Sequence, residues 1–536
     1  MMSSAADLIA QGLHGAGVRH AFGIPGGEVL TVLEALDRVG IEFILTKHEN
    51  AAGFMAEGAW HAAQAPGVLV ATLGPGLANA VNVIANALQD RVPLIFLTGC
   101  VDARDAVTYT HQVFDQTALL ESITKASFTA ADGAVDVIID KALAIALDDP
   151  PGPVHIDVPI SLAAQEQPGN AQPRRAPVSR GVAGGMQLDR ARQWLRAAHN
   201  PILIAGLEAL GHHAESAVAE FVTELDIPLI TTYKAKGILP EDHPLCLGGA
   251  GLSPKADTIL LPLLSQSDLI ILAGYDPIEM RSGWRNPWPA ETRVIEFSGT
   301  PNHHYMHQAS LNFCADVGAS LKVLAAEQER KAHWPGGEAG AAREALKAMF
   351  QAGEQWGPAT IIAVARECAP RTTVASVDSG AHRILLSQMW ECYQPRTLLQ
   401  STGLCTMGCA VPLAAGYKLV ACDQPVIAFV GDAGLEMMLG DLATLRSMDT
   451  PIVVIVFVDR SLSLIELKQR HNGMPNLGVD FAGTDFVKVA EGLGLHGLWI
   501  DDAKRLRTEL KDALVRRQQP TLLACRIDRK AYDGTF

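Results

Sequence analysis

Two aspartates carry the clearest signal for chemistry. Asp432 stands in Val430-Gly431-Asp432-Ala433-Gly434, and Asp459 in Val458-Asp459-Arg460-Ser461, each closing an apolar run. They lie 459 − 432 = 27 positions apart, enough for a strand–helix–strand crossover that returns successive strand ends to one edge of a parallel sheet. Two carboxylates with a backbone carbonyl make a hard oxygen site suited to Mg2+ or Ca2+, and Mg2+ often takes phosphate oxygens as further ligands. Gly431 and Gly434 let the backbone approach those oxygens, and the next helix offers its positive N-terminus. The plainer reading has each aspartate capping a helix; the pair, each after a buried strand, favours the metal.

A third carboxylate, Glu49, sits in Thr46-Lys47-His48-Glu49-Asn50, between the apolar run Phe43-Ile44-Leu45 and an Ala/Gly-rich helix. It is either a first-turn partner of the helix dipole or a buried group that tunes the basicity of a cofactor ring nitrogen. Two glycine loops are weaker signals: Phe22-Gly23-Ile24-Pro25-Gly26-Gly27, and Gly74-Pro75-Gly76-Leu77-Ala78-Asn79.

The elements that must hold these residues repeat one grammar of β-branched run, Gly-containing turn and helical pattern. It is read at Val68 to Thr72 and Leu94 to Leu97, at Ile202 to Ala205 and Leu269 to Ala273, and at Val426 to Val430 and Ile452 to Val458. The grammar predicts an α/β fold with parallel sheets covered on both faces, which bind ligands at the carboxyl ends of their strands. At 536 residues the chain exceeds a single core. Stretches without apolar period at Gln165 to Arg180 and Glu327 to Ala342 divide it into 1–165, 185–326 and 343–536. The likeness of the three parts fits either duplication or the shared α/β grammar.

A net charge of −15 argues against nucleic-acid or anionic-membrane partners. The N-terminus lacks a signal-peptide pattern, and the most apolar run, Pro451 to Val458, has strand length. Nine cysteines show no framework spacing, so reduced thiols in the cytoplasm are expected. Tyr233-Lys234-Ala235-Lys236-Gly237 reads as a surface loop with two cations. The middle part shows no Gly-rich phosphate loop.

Taken together, the motifs resemble the thiamine diphosphate enzymes, and among them catabolic-type acetolactate synthases. Gly431-Asp432-Ala433 closing in Val458-Asp459-Arg460 is similar to the diphosphate–metal motif, which normally reads Gly-Asp-Gly and closes with Asn. His48-Glu49 resembles the activating glutamate, and Gly403-Leu404-Cys405-Thr406-Met407-Gly408 the stretch under the cofactor. Thr110-His111-Gln112-Val113-Phe114-Asp115 and Gly274-Tyr275-Asp276-Pro277-Ile278-Glu279 are similar to acetolactate synthase. The resemblance covers about residues 5 to 530.

It implies a pyrimidine domain (1–165), a central Rossmann-like domain (185–326) and a diphosphate domain (343–536). Pyrimidine and diphosphate domains of different subunits sandwich thiamine diphosphate, so the partner is a second copy, in a homodimer or homotetramer. Glu49 then bonds the pyrimidine nitrogen, Met407 wedges between the rings and the Cys405 carbonyl accepts from the amine. Asp432, Asp459 and the Ser461 carbonyl hold Mg2+. Pro25, Gly26, Gly74, Asn79, Asp378, Ser379, Gly380, His382, Gly431, Ala433 and Gly434 complete the cofactor set. Gln112 and His111 serve the second substrate and proton transfer, although a loop histidine serves equally.

The implied reaction is decarboxylation of a small 2-oxo acid followed by carboligation, two pyruvates giving acetolactate and CO2. The alternatives are a decarboxylase or C–C lyase, and a non-catalytic cofactor-binding homologue. Three departures bear on the choice. Ala433 replaces a glycine, Arg460 adjoins a metal ligand, and Lys468 stands near the substrate pocket, as a cation for an acidic substrate tail or as part of a solvated helix face.

Overall fold

The computed structural model describes residues 3–168, 178–516 and 519–536. Three six-stranded sheets form its skeleton, and the pairings within them are parallel. The strands Gly67–Ala71, Pro201–Ala205, Leu269–Ala273 and Val453–Val458 are buried along their whole length, as parallel strands covered by helices on both faces must be.

Numbered within each unit, the first and third sheets share the strand order 2-1-3-4-6-5, and the middle sheet runs 3-2-1-4-5-6. The latter is the order of doubly wound dinucleotide folds. The α/β grammar of the sequence is therefore realised in two topologies, one of them used twice. In every sheet the first strand lies where the order reverses, and the loops beyond its carboxyl end open a crevice.

The first and third units share one core. Helix Glu49–Ala63 crosses helix Ala410–Val420, and Phe54, Met55 and Ala59 pack in one cluster with Leu413 and Ala414. Glycines permit the close approach: a methyl group on Gly58 would overlap the Leu413 carbonyl, and one on Gly416 the Met55 carbonyl.

Of the expected linker Gln165 to Arg180, residues 169–177 lie outside the described residues. Residue 343 falls inside the helix Glu338–Met349, whose Ala339, Ala342 and Leu346 pack into a core cluster with the middle unit's Leu260 and Ile270. Among the described residues no helix is long and apolar enough to cross a membrane.

One expectation fails outright. The segment Tyr233 to Gly237 is not a surface loop: Tyr233, Lys234 and Lys236 are buried, and Lys236 Nζ lies 2.7 Å from Glu241 Oε1. The sequence window showed two charges but not their partners: Glu241 just beyond it for Lys236, and Asp90 and Glu57 from distant segments for Lys234.

Candidate active site

The third sheet's crevice opens beyond Val374–Val377, Val426–Gly431 and Val453–Val458. Ser379, Gly380, His382, Met407, Gly431, Asp432, Ala433, Gly434, Asp459 and Ser461 line this one cleft. Residues up to 82 positions apart (461 − 379) converge there because successive parallel strands end at the same edge.

Asp432 begins the helix Asp432–Met437 and is buried. Its Oδ2 accepts hydrogen bonds from Asp459 N at 3.0 Å and Arg460 N at 2.7 Å. Asp459 Oδ1 accepts from Ser461 N at 3.1 Å, and Oδ2 from Ser463 Oγ at 2.7 Å. The carboxylates are thus oriented by backbone rather than by cations. Burial, then the facing Asp459, pushes the Asp432 carboxyl up to about 7; burial also raises Asp459. A buried and a half-buried acid that face each other, both raised, favour a cation between them.

Asp378 stands behind the cleft wall, fully buried. Its Oδ2 accepts from Gly408 N at 2.7 Å, and its Oδ1 from Gly431 N at 3.1 Å, with His382 Nε2 at 2.8 Å. This one carboxylate pins three of the segments around the cleft. A methyl group on Gly434 would overlap it, so that glycine serves packing as well as approach. The His382 ring stacks on Phe457 with centroids 5.2 Å apart.

Cys405 adopts a left-handed φ of 52°. Arg383 Nη1 reaches its Sγ at 3.2 Å, while Arg383 Nη2 pairs with Glu279 of the middle unit. The Gly274 to Glu279 motif thereby braces the segment that carries Met407.

Glu49 and Asn79 also meet: Asn79 Nδ2 donates to Glu49 Oε2 at 3.0 Å. Glu49 is buried at the first turn of its helix, capped by His48 Nδ1, which accepts from Asn50 N at 3.1 Å. Gly26 packs against Thr72, which donates to Glu28. Gly74, at φ 66°, donates to Gln116 Oε1 at 2.8 Å. Gln112 arches over Gly74 on an exposed loop, and His111 beside it rests edge-on against Tyr109. None of Pro25, Gly26, Glu49, Gly74, Asn79, His111 or Gln112 lines the metal-side cleft of its own chain.

The three departures resolve simply. Ala433 lies in a helical turn, where a methyl group is unstrained. Arg460 is exposed and lies against Gly483, outside the cleft lining. Lys468 is exposed on the helix Ser463–His471 and also lies outside it, whereas Leu464 and Ile465 of that helix do line the cleft. Its neighbour Glu466 is buried and accepts from Arg470 Nε at 2.7 Å. The sequence reading missed Leu464, Ile465 and Tyr532. Burial pushes the Tyr532 phenol well up, and its distance from every motif left no signal to find it by.

The cleft suits a Mg2+-bound diphosphate. Among the described residues its lining has two carboxylates, three glycines and no lysine or arginine, so an anion there needs a divalent cation beside Asp432 and Asp459. No group of three or more His, Cys, Asp or Glu side chains able to hold a metal exists among the described residues, which leaves backbone and phosphate oxygens to complete the shell. The middle unit's crevice differs. Asp149, Glu208, Asp276 and Glu296 line it together with Arg91 of the first unit and Arg396 of the third; Arg91 pairs with Asp276 at 3.1 Å, and Glu208 accepts from Gly299 N at 2.9 Å.

Two sheets of one topology flanking a dinucleotide-type unit, with paired aspartates at a strand-end crevice, define a thiamine diphosphate enzyme. The chain matches the family descriptions "Thiamine pyrophosphate enzyme, N-terminal TPP binding domain" over residues 3–119, "central domain" over 188–324 and "C-terminal TPP binding domain" over 378–525. It belongs to that family, whose cofactor is thiamine diphosphate with Mg2+ as the usual metal.

Within the family it is similar to acetolactate synthases. It is 29% identical to the acetolactate synthase of Bacillus subtilis (strain 168), covering 95% of this chain and 90% of that protein. It is 29% identical to the acetolactate synthase isozyme 1 large subunit of Escherichia coli (strain K12), covering 98% and 94%. It is 27% identical to the catabolic acetolactate synthase of Raoultella terrigena, covering 95% and 92%.

Proposed function

We propose that the protein decarboxylates a small 2-oxo acid and joins the retained fragment to a second carbonyl, two pyruvates giving acetolactate and CO2. One observation carries the choice of substrate. Beside the metal carboxylates the cleft wall is apolar, formed by Met407, Leu464 and Ile465, while Lys468 and Arg460 lie outside it. Such a wall fits a short aliphatic acyl group and offers nothing to a second anionic group on the substrate.

Thiamine diphosphate supplies the nucleophilic carbon and the electron sink. Asp432, Asp459 and the Ser461 carbonyl hold Mg2+; Ser379, Gly380, His382, Gly431, Ala433 and Gly434 border the diphosphate, and Asp378 fixes that border from behind. Met407 and the Cys405 carbonyl support the cofactor's rings.

Glu49, oriented by Asn79 and flanked by the Pro25–Gly26 and Gly74 loops, shares a proton with the pyrimidine nitrogen. It acts at the cleft of a second subunit, because it lines no part of its own chain's cleft. Gln112 and His111, exposed on the same face, attend the acceptor carbonyl. A homodimer is the minimum active unit, and a homotetramer pairs two of them.

Incubation with pyruvate, thiamine diphosphate and Mg2+ tests the reading: acetolactate, or acetoin from its breakdown, is the expected product. Free acetaldehyde alone would mean a simple decarboxylase. Tight cofactor binding without turnover of any 2-oxo acid would mean a non-catalytic homologue.

A further inference from the structure

The helix Pro75–Gln89 and its cap residue present Asn79, Asn82, Asn86 and Asp90 on one face, at spacings of three, four and four. Asn79 meets Glu49; the other three grip the segment leading to Met407. Asn82 Oδ1 accepts from Thr406 Oγ1 at 3.1 Å, and Asn86 Oδ1 from Ser401 Oγ at 2.6 Å. Ser401 Oγ in turn accepts from Thr406 N at 2.9 Å. Asp90 takes the start of the turn, accepting from Thr402 N at 2.9 Å, from Gly403 N at 2.7 Å and from the Thr402 hydroxyl.

Asp90 and its counter-ion are both buried. That counter-ion is Lys234 of the middle unit, whose Nζ lies 2.9 Å from Asp90 Oδ2 and 3.8 Å from Glu57 Oε1. Lys234 thus lies nearer Asp90 than Glu57, whose carboxyl burial pushes up to about 8. Without Lys234 the buried Asp90 side chain would be left without its counter-charge, and the anchor of the turn would move.

We propose that Lys234 is a positioning residue for the Cys405–Met407 turn, acting through Asp90. The middle unit thus contributes to cofactor binding from outside the cofactor cleft, although Lys234 is not in the cleft lining. The inference rests on the reading that this turn supports the cofactor. If the wild-type protein bound no thiamine diphosphate, that reading would fail on its own account.

The test is calorimetric titration of thiamine diphosphate, at saturating Mg2+, into the wild-type protein, Lys234→Met and Lys234→Arg, together with circular dichroism of the bound cofactor. Positioning partners of this kind are worth roughly 10- to 100-fold in affinity. Lys234→Met should keep full binding stoichiometry in its folded fraction, weaken binding by at least ~10-fold and alter the dichroism, while Lys234→Arg restores both. A lower melting temperature with unchanged affinity and dichroism would overturn the proposal. Should Lys234→Met not fold, the neutral pair Lys234→Met/Asp90→Asn removes the stranded charge. It should fold and still bind several-fold more weakly, because an amide offers one acceptor oxygen where the carboxylate offered two. Unchanged affinity in the pair, or failure of both variants to fold, reduces Lys234 to a purely structural role.

Discussion

Asp432 and Asp459 differ in what the surrounding chain asks of them. Asp432 accepts from two backbone N–H groups of the following strand end as well as facing the cleft. Asp459 Oδ2 holds only the Ser463 hydroxyl. Asp459→Asn keeps one oxygen for the metal, as in family members whose motif closes with asparagine, and should lower kcat/KM by less than about 10-fold. Asp432→Ala removes a proposed metal ligand and unties the next loop, and should cost more than about 100-fold. Steady-state rates across a Mg2+ titration separate the two, and equal losses would contradict the assignment.

Glu57 gives a pH signature of its own. Burial, reinforced by the Asp90 carboxylate and opposed by Lys234 and Asn86, raises its carboxyl from the usual 4.5 to about 8. Between those values the native chain holds a proton that the unfolded chain has released, so stability from this group falls as pH rises. Glu57→Gln should match the wild type near pH 5 and exceed it near pH 8. The gap should grow by up to about 1 kcal/mol per pH unit, read from melting curves at both pH values.

At the scale of elements, strands and most helices were legible because buried parallel strands are written as short β-branched runs closed by glycine. The two acid motifs were legible for the same reason, since an apolar run that ends in an aspartate is local information. What the sequence hid is whatever distant segments supply: the carboxylates that face Lys234, the Asp378 brace, and Tyr532 in the cleft. The helix crossing between the first and third units was hidden too, because Gly58 and Gly416 read as weak points in their helices. In the structure they are the contact itself. Gly416→Val should be overpacked against the Met55 carbonyl and lose roughly 3 kcal/mol or more, measured by urea unfolding. A loss no larger than the helix-propensity difference would show that the helices can slide apart.

The whole molecule poses a geometric puzzle that only assembly solves. Its own fold places Asp432 and Asp459 in one cleft and Glu49 elsewhere, behind Asn79 and Gly76, yet the proposed chemistry needs all three at one cofactor. A two-fold dimer satisfies this by giving each cofactor Asp432 and Asp459 from one subunit and Glu49 from the other. Glu49→Gln and Asp432→Ala should each be nearly inactive alone. When they are unfolded, mixed in equal amounts and refolded together, random pairing makes half the dimers mixed. Each mixed dimer has one site with both defects and one with neither, so activity should return to about a quarter of the wild-type level. If both acids served one site within a single chain, mixing would restore nothing, and the division of the site between two subunits would be wrong.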